Sequence, residues 1–187
     1  MTEDTEPTNE GAETPTDDAP PAEEAAGPTA KEIESALEET ALRARASSSP
    51  HLILNPVWLP PARGFAHAVV SAPGLVVYFG GQAGHRPDGS LAGETLVEQF
   101  DQACANLVEA LAAAGGKPEH LVSIQIFVTD AGDYRSSLRE IGQVYRRRLG
   151  RHFPAMALLQ VSGLFDPRAK VELMAVAVIP EREAEER

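Results

Sequence analysis

The stretch HFPAMALLQVSGLFDPRAKVELMAVAVIP, residues 152–180, decides the fold of this chain. It predicts two apolar strands joined by a short polar turn at Asp166-Pro167-Arg168. Both strands contain long runs in which neither alternating face is polar, the pattern of a strand covered on both sides.

Immediately upstream, apolar residues at helical spacing predict a helix over roughly 133–149, with Leu138, Ile141, Val144, Tyr145 and Leu149 turned inward. Arg146-Arg147-Arg148 falls near its C-terminal end, where the helix dipole favours cations, and is expected to be a solvated face rather than a phosphate site. Residues 121–129 alternate Val122, Ile124, Ile126 and Val128 against Ser123, Gln125, Phe127 and Thr129, which predicts a strand. A longer helix is expected over 94–114: Val97, Phe100, Cys104, Leu107, Val108 and Leu111 share one stripe, and Gly115-Gly116 stops it. Ahead of it, residues 66–70 and 75–80 are expected to form a hairpin across Ser71-Ala72-Pro73-Gly74, with LVVYF (75–79) buried on both faces. Gly80-Gly81 lets another backbone or a ligand approach closely, and Pro87-Asp88-Gly89 marks a turn.

The order strand, strand, helix, strand, helix, strand, strand contains no internal repeat and predicts an α+β fold, a mixed sheet with two helices packed on one face. The other apolar face of the sheet then needs a cover. A second copy of the same chain is the simplest cover, so the strands alone predict a homo-oligomer.

Residues 1–29 contain no aromatic residue and no Ile, Leu or Val, so they cannot offset the entropy of ordering; an acidic, disordered tail is expected. It is either a solubilising extension or a docking segment for a basic protein partner. Nine acids and no Lys or Arg lie in residues 1–30, so only −3 of the formal net charge of −12 belongs to the rest. That near-neutral remainder gives no electrostatic case for binding nucleic acid or an anionic membrane. Thr29 and Glu32 form a capping-box pattern that opens an amphipathic helix over 30–46. A Pro-rich extended segment follows over 47–63, in which Pro56, Pro60 and Pro61 favour an edge or wrapping position and Trp58 is expected as a packing anchor. The folded domain is then expected over 64–180, with a charged C-terminal tail over 181–187. Cys104 is read as a small buried hydrophobe, and the five histidines lack metal-binding spacing, so no metal or other cofactor is expected. No apolar run is long enough to span a bilayer, and the N-terminus is neither basic nor apolar, which places the expected location in the cytoplasm.

Six words in one order carry a family resemblance: GFAHAV (64–69), Gly81-Gln82 after a strand, a helix ending AAAGG (112–116), IQIFVTD (124–130), Val144-Tyr145 with FPAMALLQV (153–161), and VELMAVAV (171–178). Over residues 64–180 the chain resembles the RidA/YjgF family, whose best-known members hydrolyse reactive 2-imino acids to 2-keto acids and ammonium. The resemblance implies a chorismate-mutase-like fold, a homotrimer with its sheets packed into a central barrel, and a small-molecule cleft at each subunit interface. It also implies the cleft residues Phe65, His67, Gly81, Gln82, Met156 and Leu158, with Glu172 as the catalytic acid that orients water.

Several positions depart from the family. Met156 stands where the deaminases carry the arginine that grips the substrate carboxylate, followed by Ala157 and Leu158. A thioether cannot form the bidentate charge-assisted pair an arginine makes. Phe65 replaces a frequent tyrosine, Gly80 a serine, Gly142 a site asparagine, and Met174 the companion acid of Glu172. Arg151 and His152 are the nearest cations in sequence to Met156.

The same residues also admit plainer roles. Glu172 is either a desolvated general base or an exposed strand carboxylate pairing with Lys170 or Arg168. His67 is either a ligand donor or a hydrogen-bonded structural histidine. The expected function is therefore a divergent imine or enamine hydrolase, or a tautomerase, acting on a non-standard substrate, with weak or absent 2-imino acid deamination. The alternative is a trimer that binds a small metabolite or a protein partner without catalysis.

Overall fold

The computed structural model of the protein describes residues 29–35, 38 and 49–181. Most of the expected acidic tail, much of the 30–46 helix and residues 182–187 lie outside them. Within the described part, residues 30–35 are helical and exposed. Their start is the expected capping box: Thr29 N–H donates to Glu32 Oε2 at 2.8 Å, and Glu32 N–H donates back to Thr29 Oγ1 at 3.4 Å.

The fold is mixed α+β. Its strands are β1 (Leu52–Leu54), β2 (Ala68–Val70), β3 (Gly74–Ala83), β4 (Leu121–Val128), β5 (Ala155–Gln160) and β6 (Val171–Pro180). The helices are α1 (Leu96–Ala113), α2 (Ala131–Ser136) and α3 (Leu138–Leu149). Four strands form the main sheet in the order β3-β6-β4-β5, while β1 and β2 pair separately.

The expected turn at Asp166-Pro167-Arg168 is present, with Ala169 N–H donating to Asp166 C=O at 2.9 Å, but β5 and β6 do not pair, because β4 lies between them, parallel to β5 and antiparallel to β6. The α2–α3 crossover returns the chain parallel to β4, as such connections require. β6 then fills the central slot between β3 and β4, so its long apolar run belongs to the middle of a sheet. The predicted hairpin of residues 66–70 with 75–80 is absent too: β2 pairs with β1, in register Leu54↔Ala68 to Leu52↔Val70, and β3 pairs with β6.

Helix α1 forms where its stripe predicts. Thr95 caps it by accepting from Glu98 N–H while Glu98 accepts from Thr95 N–H, and Gly115, at φ +76°, lies just past its end. Its buried face, Phe100, Cys104, Leu107 and Leu111, packs with Leu121, Ile124, Ile126 and Val128 of β4 and with Val171, Leu173, Ala175 and Ala177 of β6. The single helix expected over 133–149 is two. Asp130 caps α2 through Gly132 and Asp133 N–H, and Ser137 leaves helical geometry at φ −98°, ψ 10° before α3 begins. Leu138 therefore starts a new helix and is 55 % exposed, whereas Ile141, Val144, Tyr145 and Leu149 are buried as expected.

The face of the sheet away from the helices is incompletely covered. On β3, Val76 and Tyr78 are exposed, Tyr78 to 80 %, so LVVYF is not buried on both faces within one chain. Leu158 and Leu159 of the edge strand β5 are also exposed, Leu158 on the helix side and Leu159 on the opposite face. Trp58 is 44 % exposed and is not a core anchor. Among the described residues no helix is long and apolar enough to cross a membrane.

Candidate functional site

The expected site residues divide between the two faces of the main sheet. On the helix side, a cavity of about 440 Å³ opens between β4, β5, α3 and the segment before β2. Phe65, Met156 and Leu158 line it together, joined by Ile126, Tyr145 and Gly142. Backbone pairing positions Phe65: Ala66 N–H donates to Pro154 C=O at 2.9 Å, and Ala66 bridges Ala155 in parallel. The chain before β2 thus runs beside β5 and turns Phe65 toward the cavity.

Met156 lines this space without filling it. The buried Tyr145 hydroxyl donates to His152 C=O at 2.7 Å and lies 3.8 Å from Met156 Sδ. Burial pushes the Tyr145 phenol well up, so it stays protonated and neutral. The Tyr145 and Phe153 rings stack at 5.0 Å and 10°. The wall is otherwise aliphatic and aromatic, and its only charged residues are Arg63 and Arg146.

On the opposite side of β6, Glu172 alternates with the core residues Val171 and Leu173, so it points away from the helices. A one-residue bulge between Phe79 and Gln82 of β3 sets Ala83 opposite Glu172 and Gln82 opposite Leu173. The half-buried Glu172 carboxylate lies where a β-carbon on Gly81 would stand. The group that approaches the glycine pair closely is therefore a carboxylate. It makes no hydrogen bond or ion pair with any described residue, and the expected partner Arg168 instead holds Asp166 at 2.9 Å. Gln82 Nε2 donates to Gly80 C=O at 3.1 Å.

Glu172 owes its position partly to Gln99, which no sequence pattern marked as more than a helix residue. Gln99 is buried; its Nε2 donates to Gly93 and Arg168 C=O at 3.0 and 3.3 Å, and its Oε1 accepts from Lys170 N–H at 2.7 Å. This satisfied amide pins the entry to β6 two residues before Glu172.

His67 is not in the cavity lining. Its Nε2 contacts Pro60 C=O at 2.8 Å, its N–H donates to Asn55 Oδ1 at 3.0 Å, and its ring meets Phe65 edge-on at 5.2 Å. These contacts hold the Pro-rich segment beside Phe65. Arg151 and His152, nearest in sequence to Met156, do not line the cavity either. His152 is buried with Nε2 2.6 Å from Leu121 C=O. Sequence proximity missed the cations that the fold brings in, Arg63 and Arg146. Among the described residues, no cluster of three or more His, Cys, Asp or Glu could hold a metal ion.

Comparison with known proteins supplies the remaining observations. A family model described as endoribonuclease L-PSP matches residues 58–179. A human protein named 2-iminobutanoate/2-iminopropanoate deaminase is 31 % identical over 104 residues, which cover 54 % of this chain and 72 % of that protein. The goat protein of the same name is 34 % identical over 104 residues, again 54 % of this chain and 72 % of that protein. Among solved structures, a Rid-family protein of unknown function from Yersinia pestis superposes with TM-score 0.64 at 28 % identity, covering 69 % of this chain and 98 % of that one. A putative endoribonuclease L-PSP from Entamoeba histolytica gives TM-score 0.51 at 27 % identity, covering 68 % and 97 %.

Proposed function

This chain belongs to the RidA/YjgF family, the group matched over residues 58–179, and from that premise we propose that it hydrolyses imines or enamines of a class other than the short 2-imino acids. The observation that carries this reading is the pairing of a retained Glu172, packed on Gly81, with an apolar Met156 wall where the deaminases use arginine. In hydrolysis, water oxygen adds to the C=N carbon and the nitrogen takes a proton. The carbonyl then forms as ammonia leaves. Glu172 serves as the base that accepts the proton from water and returns it to nitrogen.

One chain does not bring the two halves together, since the cavity and Glu172 lie on opposite faces of the sheet. We place them in one cleft between subunits of a homotrimer, the cavity from one copy and the Gly81–Glu172 pair from the next. The exposed sheet face of Val76, Tyr78 and Met174 supports such packing. A nucleic-acid substrate is disfavoured because residues 31–187 carry a formal charge of −3.

Losing a charge-assisted partner at Met156 costs about 2–5 kcal/mol, which at ~1.4 kcal/mol per tenfold is about thirtyfold to several thousandfold in turnover. Ammonia release from freshly generated 2-iminopropanoate is therefore expected to be weak for the unmodified chain and at least about tenfold faster for Met156→Arg. Robust release by the unmodified chain would sink this reading. A second reading, metabolite binding without turnover, is favoured by Met174 in place of the companion acid. A hydrolysed substrate whose turnover Glu172→Gln abolishes would exclude it.

A further inference from the structure

Arg146-Arg147-Arg148 is one run in sequence but two devices in the fold. At 100° per residue, successive helical positions point in different directions. Arg147 and Arg148 reach Asp101 of α1, at 3.0 and 2.7 Å, and tie α3 to α1. Arg146 turns the other way. Its guanidinium folds back one helical turn, and a β-carbon on Gly142 would lie 3.5 Å from its terminal nitrogen. Both Gly142 and Arg146 line the cavity.

Side chains on a helix lean toward its N-terminus, so residue i covers residue i−4. A glycine inside a helix is unfavourable for the helix itself, yet Gly142 sits in the middle of α3 where the guanidinium lies. A β-carbon there would make only ordinary contact with the guanidinium, so Arg146 lies over this position without depending on the glycine. Arg63, on the facing segment, also lines the cavity. Neither arginine makes a hydrogen bond or ion pair with any described residue, and the lining contains no acid. Two solvent-exposed cations without a protein counter-ion thus flank a wall built from Phe65, Tyr145, Phe153 and Met156.

We propose that this cavity binds an organic carboxylate with an aromatic or branched apolar body, its anion held by Arg146 and Arg63 and its body packed against Met156 and the stacked Tyr145–Phe153 pair. The planar guanidinium matches a carboxylate in two parallel hydrogen bonds, which an ammonium would not. The cavity volume lies within the range of small-molecule sites. Carboxylate recognition is thereby moved from β5 to α3, and the residue at 156 becomes part of the apolar seat. This inference rests on the proposed reading of the cavity as the ligand half of the cleft and names the ligand class it admits.

The test compares 3-phenylpropanoate with its neutral amide, 3-phenylpropanamide, titrated calorimetrically into the full chain at pH 7.5 in its native oligomeric state. The acid is expected to bind at least about tenfold tighter than the amide. Arg146→Gln should bring the two affinities together, with Arg63→Gln contributing a smaller loss. Arg147→Gln, which removes a contact to Asp101 instead, should leave the acid preference intact. Equal affinity of acid and amide for the unmodified chain would overturn the inference alone, as would an acid preference surviving in the Arg63→Gln, Arg146→Gln double variant. Binding of neither compound would overturn both the inference and the reading of the cavity as a ligand site.

Discussion

Gly81 and Glu172 were both marked by sequence, but for separate reasons, and their contact is a product of the fold. A β-carbon at Gly81 would overlap the end of a flexible side chain rather than backbone, so Glu172 can swing aside at little cost to stability. Gly81→Ala is therefore expected to leave the melting temperature within about 2 °C while displacing the carboxylate. On any substrate the chain hydrolyses, turnover should fall toward that of Glu172→Gln. A large loss of stability, or unchanged turnover with the carboxylate moved, would contradict the assigned role. Phe65, Met156 and Leu158 were also legible and do share one cavity. His67 is expected with them, but its Nε2 lies 2.8 Å from Pro60 C=O and it does not line the cavity. No one-dimensional pattern reports that, because the partner is a backbone oxygen of a proline-rich segment without periodicity.

Elements with long, strongly periodic faces were the most legible. The α1 stripe from Val97 to Leu111 and the β4 alternation are local patterns, and each buries the residues it predicts except Val97, Val108 and Val122, which are only half-buried. Phe100 is 1 % exposed at the centre of the α1 contact with the sheet. Phe100→Ala should cost roughly 3–5 kcal/mol, read as a shift of the urea midpoint with unchanged slope. A cost below about 1 kcal/mol would mean the α1 face is not part of the cooperative core. Strand partners were less legible. β5 and β6 are both apolar and close in sequence, so a hairpin satisfies their pattern as well as the observed order. What separates them is the α2–α3 crossover, which makes β5 parallel to β4 and leaves the central slot to β6. The single break at Ser137 similarly moves Leu138 off the buried face without altering the helical periodicity around it.

At the scale of the molecule, burial of imidazoles sets a pH limit. His51 and His152 are 1 % and 7 % exposed, and burial, the largest cause, holds both below the usual histidine value of 6.5. In the pH range below 6.5 the unfolded chain therefore binds more protons than the folded one, so stability is fully present above 6.5 and falls as pH drops toward the lowered folded values. The slope is at most about 1.4 kcal/mol per pH unit for each imidazole. Melting temperature should be flat from pH 8 to 7 and decline from pH 6.5 to 5, whereas the lowered carboxyls of Asp101 and Asp166 matter only at more acidic pH. A flat profile down to pH 5 would show that these imidazoles are not the limit.

The proposed trimer has its own test. Tyr78→Glu places a charge on the exposed sheet face and should convert the trimer mass, measured by light scattering, to that of a monomer. An unchanged mass would remove that face from the interface.

The sequence by itself determined most of the core, both ends of α1, and the family. These depend on periodicity, caps and word order, all local properties of the chain. Only the tertiary structure decided which strands are neighbours, that the cavity and Glu172 occupy opposite faces of one sheet, and that Arg146 parts from Arg147 and Arg148 to lie over Gly142. Those outcomes depend on where crossovers return the chain and on the direction each side chain takes from a helix or pleat, and side chains adjacent in sequence point apart.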